Sequence, residues 1–328
     1  VIPRVAADPT ATHLKGIKMK AIAMSDFDGP AFLQDLPDLS PGDEELLVGV
    51  KASSVNPVDA GIAAGMLKSM FDYEFPVVLG RDFAGTVRSV GLGVDGIAAG
   101  EDVFGFLLHA NPTIHDGAWA ERIIVPANGF IARKPDGVDF RDAGAAPLAA
   151  LAAMAMAEAL EITAEDSVLI IGASGGVGTF AVQLAKRAGA KVIAPGLAED
   201  EDFLRSLGVD HLIERDGDIA SALREIEPGG ATALIDTVSM TPEDLDANAA
   251  MVADGGRAAS PNSAAGDGPG RHNAMSSADT AAVARLADLL ADGSLRVPIQ
   301  QTYPLATALD ALHALSAEHT QGKLAIGI

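Results

Sequence analysis

The stretch Val168 to Ala194, VLIIGASGGVGTFAVQLAKRAGAKVIA, constrains the fold of this chain more than any other. Val168 to Ile171 reads as a short buried strand and is followed by a glycine-rich turn. Apolar residues then recur at helical spacing, at Val177, Ala181, Leu184 and Ala185, until Gly189 stops the helix. Lys191 to Ala194 reads as a second strand. A strand, a helix and a strand in so short a span form a β-α-β unit, whose two strands must lie parallel.

The turn admits two chemistries. Gly172-Ala173-Ser174-Gly175-Gly176 satisfies G-x-S-x-G, the elbow that exposes a serine nucleophile. The same residues nearly spell G-x-G-x-x-G, with Ala173, Gly175 and Gly178 at the glycine places. On that second reading Ser174, Gly175, Gly176, Val177 and Gly178 cradle a dinucleotide at a helix N-terminus, and Ser174 only caps the helix or touches phosphate. A hydrolase needs an acid and then a histidine downstream, and Asp236 with His272 or His313 offers that order. Against it, Val168 to Ile171 is the first parallel-type strand after a β-rich region, and no HGGG-like oxyanion loop precedes it.

From Lys20 to about Pro135 the chain shows short β-rich segments between Gly, Pro and Asp: Glu45 to Val50, Phe83 to Val90, Asp102 to Phe106 and Ala120 to Val125. From about Asp142 long Ala/Leu/Met helical runs alternate with the strands Val168 to Ile171, Lys191 to Ala194, His211 to Ile213, Ala233 to Ile235 and Gly256 to Ala259. That alternation predicts a doubly wound parallel sheet, an α/β fold. Helices over Asp279 to Ala291 and Leu305 to Leu315 precede a last strand, Lys323 to Ile328.

Composition narrows the function classes. A net charge of −22 with no basic stripe predicts no nucleic-acid partner. Zero cysteines exclude disulfides, thiolate nucleophiles and Cys-bearing zinc sites. No apolar run is long enough to span a membrane and no secretory signal opens the sequence, so a soluble, cytoplasmic protein with no membrane partner is the expectation.

GASGGVGTFAVQLAKRAGAKVIA resembles the A-x-G-G-V-G segment of medium-chain dehydrogenase/reductases, especially their zinc-free quinone oxidoreductase-like branch, where Ala in the first glycine place is usual. VKASSVNPVDAGIAAG, PVVLGRDFAGTV, GAWAERIIVP, ALIDTVS and HTQGKLAIGI resemble further segments of that family, in its order. The resemblance implies a GroES-like β-rich catalytic domain over 19–138 and 272–328, a Rossmann NAD(P)-binding domain over 139–271, and an N-terminal extension over 1–18. It also implies a homodimer formed through the cofactor domain.

Zinc-dependent members carry a Gly-His-Glu motif and cysteines around the metal, whereas this chain has Gly80-Arg81-Asp82 and no cysteine, so no zinc is expected. The implied activity is NAD(P)H-dependent hydride transfer to a small-molecule quinone or α,β-unsaturated carbonyl (enone), which conjugation has already activated. Asn56 and Asp59 match the family's N-x-x-D positions beside the nicotinamide. The tyrosine and arginine usual just downstream are replaced by Gly61, Ile62 and Ala63, and a usual threonine by Ala152. Tyr73, His109 and His115 remain as loop sources of a proton, with Tyr73 the one assigned to catalysis.

The expected cofactor is NADPH, with NADH possible. The second strand ends at Ala194-Pro195-Gly196, without the acid that holds an NAD ribose. The resemblance places Arg215 where family members often carry a tyrosine next to the adenosine ribose, which implies that it supplies a charge for the 2′-phosphate. The acidic loop Leu197 to Asp202 opposes that choice. Asp236, Thr237, Val238, Ser260 and Pro261 are expected to line the groove at the carboxyl ends of the strands. The missing Tyr, Arg and Thr keep open a non-catalytic NAD(P)H-binding protein on the same fold, and a serine hydrolase through Ser174 is the third alternative.

Overall fold

The computed structural model describes residues 18–27, 29–107, 113–275 and 280–328. The expected extension, apart from Lys18, and His109 lie outside the described residues.

The strands Ser167–Ile171, Lys191–Gly196, His211–Glu214, Ala231–Asp236, Val252–Ser260 and Arg271–Asn273 form one six-stranded sheet. All of its pairings are parallel. Numbered in chain order its strands run 3-2-1-4-5-6, with the glycine-loop strand Ser167–Ile171 between the second and fourth. In that arrangement the strand order reverses beside the loop, and the reversal opens a crevice. Val168, Leu169 and Ile170 are fully buried, as expected of a strand covered by helices on both faces. The helix Gly176–Arg187 covers one face with Phe180, Ala181, Val182 and Ala185. It also packs against Pro147–Ala159, whose many buried alanines permit close approach.

Sequence pattern missed the sixth strand. Arg271–Asn273 has three polar residues and no apolar alternation, and pairing with Val252–Ser260 alone makes it a strand.

The β-rich half is a seven-stranded sheet built around Glu45–Ser54 and a three-stranded sheet built around Lys18–Met24. Glu45–Ser54 pairs antiparallel with Asp82–Val90, Arg122–Pro126 and Lys323–Gly327. Lys323–Gly327 lies between it and Ile299–Pro304, so the end of the sequence returns to the first half. The helix expected over Leu305 to Leu315 is a 3-10 turn, Leu305–Thr307, running into the α-helix Ala308–Ala317. The helix reaching Ala291 is described from Thr280, and Asp279 lies outside the described residues.

One apolar cluster joins the halves: Ala84, Phe104 and Phe106 of the β-rich sheet pack with Ala143, Ala150 and Leu151 and on to Ile170 and Phe180. Gly80 sits at φ 90°, where a Cβ would fall 2.2 Å from Cδ1 of the buried Trp119. The turn at Gly80-Arg81-Asp82 is thereby packed tightly against the Trp119 ring. Among the described residues no helix is long and apolar enough to cross a membrane.

Candidate functional site

The glycine loop is shaped by close approach. After Ile171 the chain turns at Gly172, at φ 81°, and Gly175 donates its N–H to the Gly172 carbonyl at 3.0 Å. Gly175 then takes the N-cap of Gly176–Arg187 without a side chain to cap it, leaving the first N–H groups and the positive end of the helix dipole available to an anion. A Cβ at Gly178 would lie 2.0 Å from the Gly172 carbonyl oxygen, so this glycine is what lets helix and strand meet. A Cβ at Gly176 would lie 3.1 Å from Cδ of Lys323, and Gly322 donates its N–H to the Ser174 carbonyl at 2.7 Å. The segment before the last strand therefore crosses the loop.

Between them lies a cleft of about 690 Å³. Ser174, Gly175, Gly176 and Val177 line it on the loop side, with Thr237 and Val238 from the end of the next strand and Arg215 after His211–Glu214. Val55, Asn56 and Pro57 form the opposite wall. Gly178 lies beneath the loop, and Tyr73, Asp59, Asp236, Ser260 and Pro261 are not among the lining residues.

Their surroundings explain the last group. Asp236 is fully buried; it accepts hydrogen bonds from Val238 and Ser239 N–H, Ser239 Oγ and Asn248 Nδ2 at 2.7–2.9 Å. It thus holds Thr237 and Val238 at the cleft. Ser260, also fully buried, accepts from Asn262 N–H at 3.2 Å. Tyr73 donates to the Ile62 carbonyl at 3.4 Å and packs edge-on against Phe27, with ring centroids 4.8 Å apart. His115 pairs through Nδ1 with the Glu74 carbonyl at 2.7 Å.

Behind the Asn56 wall is a buried polar knot. Asn56 Nδ2 donates to Asp82 Oδ2 at 2.8 Å and to Ser54 Oγ at 3.3 Å, and its Oδ1 accepts from Lys323 Nζ at 2.6 Å. Asp82 also accepts from Ser54 Oγ at 2.6 Å and from Leu148 N–H at 2.7 Å. Asp59 Oδ2 accepts from Asn56 N–H at 2.8 Å, so the carboxylate caps the helix Pro57–Ala63, while its Oδ1 is buried with no hydrogen-bond partner among the described residues. Burial pushes the Asp59 carboxyl up to about 7, against the pull of the Arg81 guanidinium.

The turn that carries Gly-His-Glu in zinc-dependent members does not suit a metal here. Arg81 puts a buried guanidinium in the middle place, donating to the Val78 and Asp116 carbonyls. Both Asp82 oxygens are already hydrogen-bonded, and there is no cysteine. Among the described residues no group of three or more His, Cys, Asp or Glu is placed to hold a metal ion.

At the far end of the cleft one acid of the Leu197 to Asp202 loop is buried, while Glu199, Glu201 and Asp202 stay exposed. Asp200, 1% exposed, accepts from His319 Nε2 at 2.7 Å, Gln321 Nε2 at 2.9 Å and Leu197 N–H at 3.1 Å. Burial works to raise its carboxyl, but the bonds from His319, Gln321 and Leu197 outweigh it and hold the group below the usual carboxylate range. Asp200, His319 and Lys323 are cleft residues that sequence reasoning missed. The visible signal was a lysine opening an otherwise apolar strand, Lys-Leu-Ala-Ile.

The hydrolase alternative fails on this geometry. Asp236, the acid it needs, already holds the Thr237–Val238 loop, and among the described residues no histidine is hydrogen-bonded to Ser174.

Comparison with known proteins agrees with the site. The alcohol dehydrogenase GroES-like domain family matches residues 42–136 and the zinc-binding dehydrogenase family matches residues 176–269. The chain belongs to the medium-chain dehydrogenase/reductase superfamily, in its quinone oxidoreductase-like branch. A chloroplastic quinone-oxidoreductase homolog of Spinacia oleracea is 36% identical over 185 residues, 55% of this chain and 54% of that protein, so the match spans about half of each. A chloroplastic NADPH-dependent alkenal/one oxidoreductase of Arabidopsis thaliana is 28% identical over 320 residues, covering 94% of this chain and 79% of that protein. The quinone oxidoreductase of Coxiella burnetii superposes with a TM-score of 0.84 at 27% identity, over 95% of this chain and 100% of that one.

Proposed function

We propose that the protein is a zinc-independent reductase that passes a hydride from a nicotinamide dinucleotide, NADPH in preference to NADH, to a quinone or an enone. The observation that carries this reading is that one cleft is lined both by the glycine loop, Ser174 to Val177, and by the Asn56 wall of the β-rich half. The family membership and the activities for which its relatives are named support it.

The residues fit such a cofactor. The N–H groups opening Gly176–Arg187 suit a pyrophosphate, and glycine at 175 and 176 keeps Cβ atoms out of the cradle. Thr237 and Val238, fixed by Asp236, and the Asn56 wall bound the end nearer the β-rich half. Bound there, the cofactor supplies a hydride to an acceptor whose conjugation spreads the incoming charge. The chain aligns the partners and excludes water.

Arg215 favours NADPH: it lines the cleft, and no acid stands at the end of Lys191–Gly196. Asp200 lines the cleft, but its Oδ1 is engaged by His319 and Gln321, which reduces the objection it raises to a 2′-phosphate.

Nucleotide binding without turnover is favoured by one observation. Tyr73 and Asn56 spend their donors inside the protein, so neither offers a proton to the cleft. Titration with NADPH and NADH followed by a panel of quinones and enones decides between the two readings. Reductase activity shows as acceptor-dependent oxidation of bound NADPH, whereas tight binding with no oxidation under any acceptor leaves only the binding role. A homodimer through the parallel-sheet half belongs to the same proposal, and light scattering at a mass of one chain would sink it.

A further inference from the structure

Lys323 joins the two sides of the cleft. It opens the strand Lys323–Gly327, is 3% exposed, and lines the cleft. Its stem lies beside the loop, where Cδ is 3.1 Å from the place of a Cβ on Gly176. Its head reaches the opposite wall, where Nζ donates to Asn56 Oδ1 at 2.6 Å and to the Val55 carbonyl at 3.2 Å and lies 3.8 Å from Asp82 Oδ2.

Burying an ammonium costs free energy that a methionine of similar size would not, so packing alone does not account for a lysine here. What the charge does is orient. With Oδ1 taken by Lys323 and Nδ2 directed at Asp82 and Ser54, the Asn56 amide has one orientation and no reason to flip. Asp59, Asp82 and Arg81 are the other ionisable groups around the knot; with Lys323 they form two acids against two bases.

We propose that Lys323 is a positioning residue that keeps the Asn56 wall in register with the glycine loop, so that a dinucleotide seated on the loop presents its nicotinamide end in one orientation. The identity of that ligand rests on the hydride-transfer reading, while the coupling of loop to wall does not.

The protein holds its own reporter. Trp119 is the single tryptophan, and its Nε1–H donates to the Ser54 carbonyl at 3.0 Å, within the knot. The experiment titrates wild type, Lys323→Met and Lys323→Arg with NADPH, reading affinity from Trp119 quenching and ring mobility from the anisotropy of nicotinamide emission. Single turnovers with 1,4-benzoquinone are then followed across pH.

In Lys323→Met the affinity should stay within about threefold, the anisotropy should fall, and the hydride rate should drop at least about tenfold with little change in KM. Lys323→Arg should recover most of both. Burial lowers the lysine's pKa against the pull of Asp82 and Asp59, so its charge is lost as pH rises. Wild type should therefore show an alkaline limb that the Arg variant lacks.

Unchanged anisotropy in Lys323→Met overturns the proposal whether or not benzoquinone is reduced. If Lys323→Met does not fold, the Arg variant decides, and an alkaline limb identical to wild type overturns the proposal. Lower anisotropy in the Met variant upholds Lys323 even where wild type reduces neither benzoquinone nor any acceptor of the quinone and enone panel, the outcome that rejects the reductase reading.

Discussion

Asp59 and Arg215 show how much a single side chain can be asked to reveal. The folded protein holds the Asp59 proton more tightly than the unfolded chain, because the carboxyl rises from 3.8 to about 7. Its contribution to stability is therefore full below about pH 3.8 and is lost as pH climbs through about 7. Asp59→Asn still accepts from Asn56 N–H and never ionises. Its stability relative to wild type should rise between about pH 4 and pH 7, by up to a few kcal/mol, and level off above. Urea unfolding across that range reads the slope, and parallel curves for the two proteins would rule the shift out. Arg215, half exposed and paired with Asp216 at 3.1 Å, has a smaller effect. Arg215→Ala should weaken NADPH about fivefold more than NADH, the scale of an exposed charge pair, and equal losses would place Arg215 away from the phosphate. The family resemblance could nominate Asn56 and Asp59 through N-x-x-D and Arg215 through its place after the third strand of the parallel sheet. It could not show that the Asn56 amide is saturated, because one of its partners, Lys323, lies 267 residues away.

Two glycines of one loop should behave differently. At Gly178 a Cβ meets the Gly172 carbonyl at 2.0 Å and the Ala173 Cα at 2.7 Å, both backbone atoms that cannot step aside. Gly178→Ala should cost about 1–3 kcal/mol as overpacking and should lose dinucleotide affinity as well. At Gly175 the nearest atom is 3.4 Å away, so Gly175→Ala should keep the melting temperature while lowering affinity by intruding on the cradle. Thermal melts with a cofactor titration separate the two, and a destabilised Gly175→Ala would mean that the loop is as crowded at its rim as at its base. The β-α-β unit was legible because its apolar period and glycines are contiguous in sequence. Arg271–Asn273 was not, because three polar residues become a strand only when Val252–Ser260 supplies the partner.

For the molecule as a whole, a net charge of −22 spread over one joined structure implies self-repulsion. Raising ionic strength from about 0.01 M to about 0.15 M, which shortens the screening length from about 30 Å to about 8 Å, should raise the melting temperature. A flat response would mean that the acids are already compensated by their neighbours. The two-part organisation was legible from the change of texture near Asp142, but the apolar cluster that runs from Phe104 to Phe180 was not. The placement of Lys323–Gly327 also has a meaning in time. On the ribosome, the backbone of Ala52 to Ser54 emerges before the whole parallel sheet, while the strand that covers it is translated after that sheet. Through most of its synthesis the nascent chain thus carries an open β-edge and an unfinished polar knot, the period in which a chaperone would matter most to it.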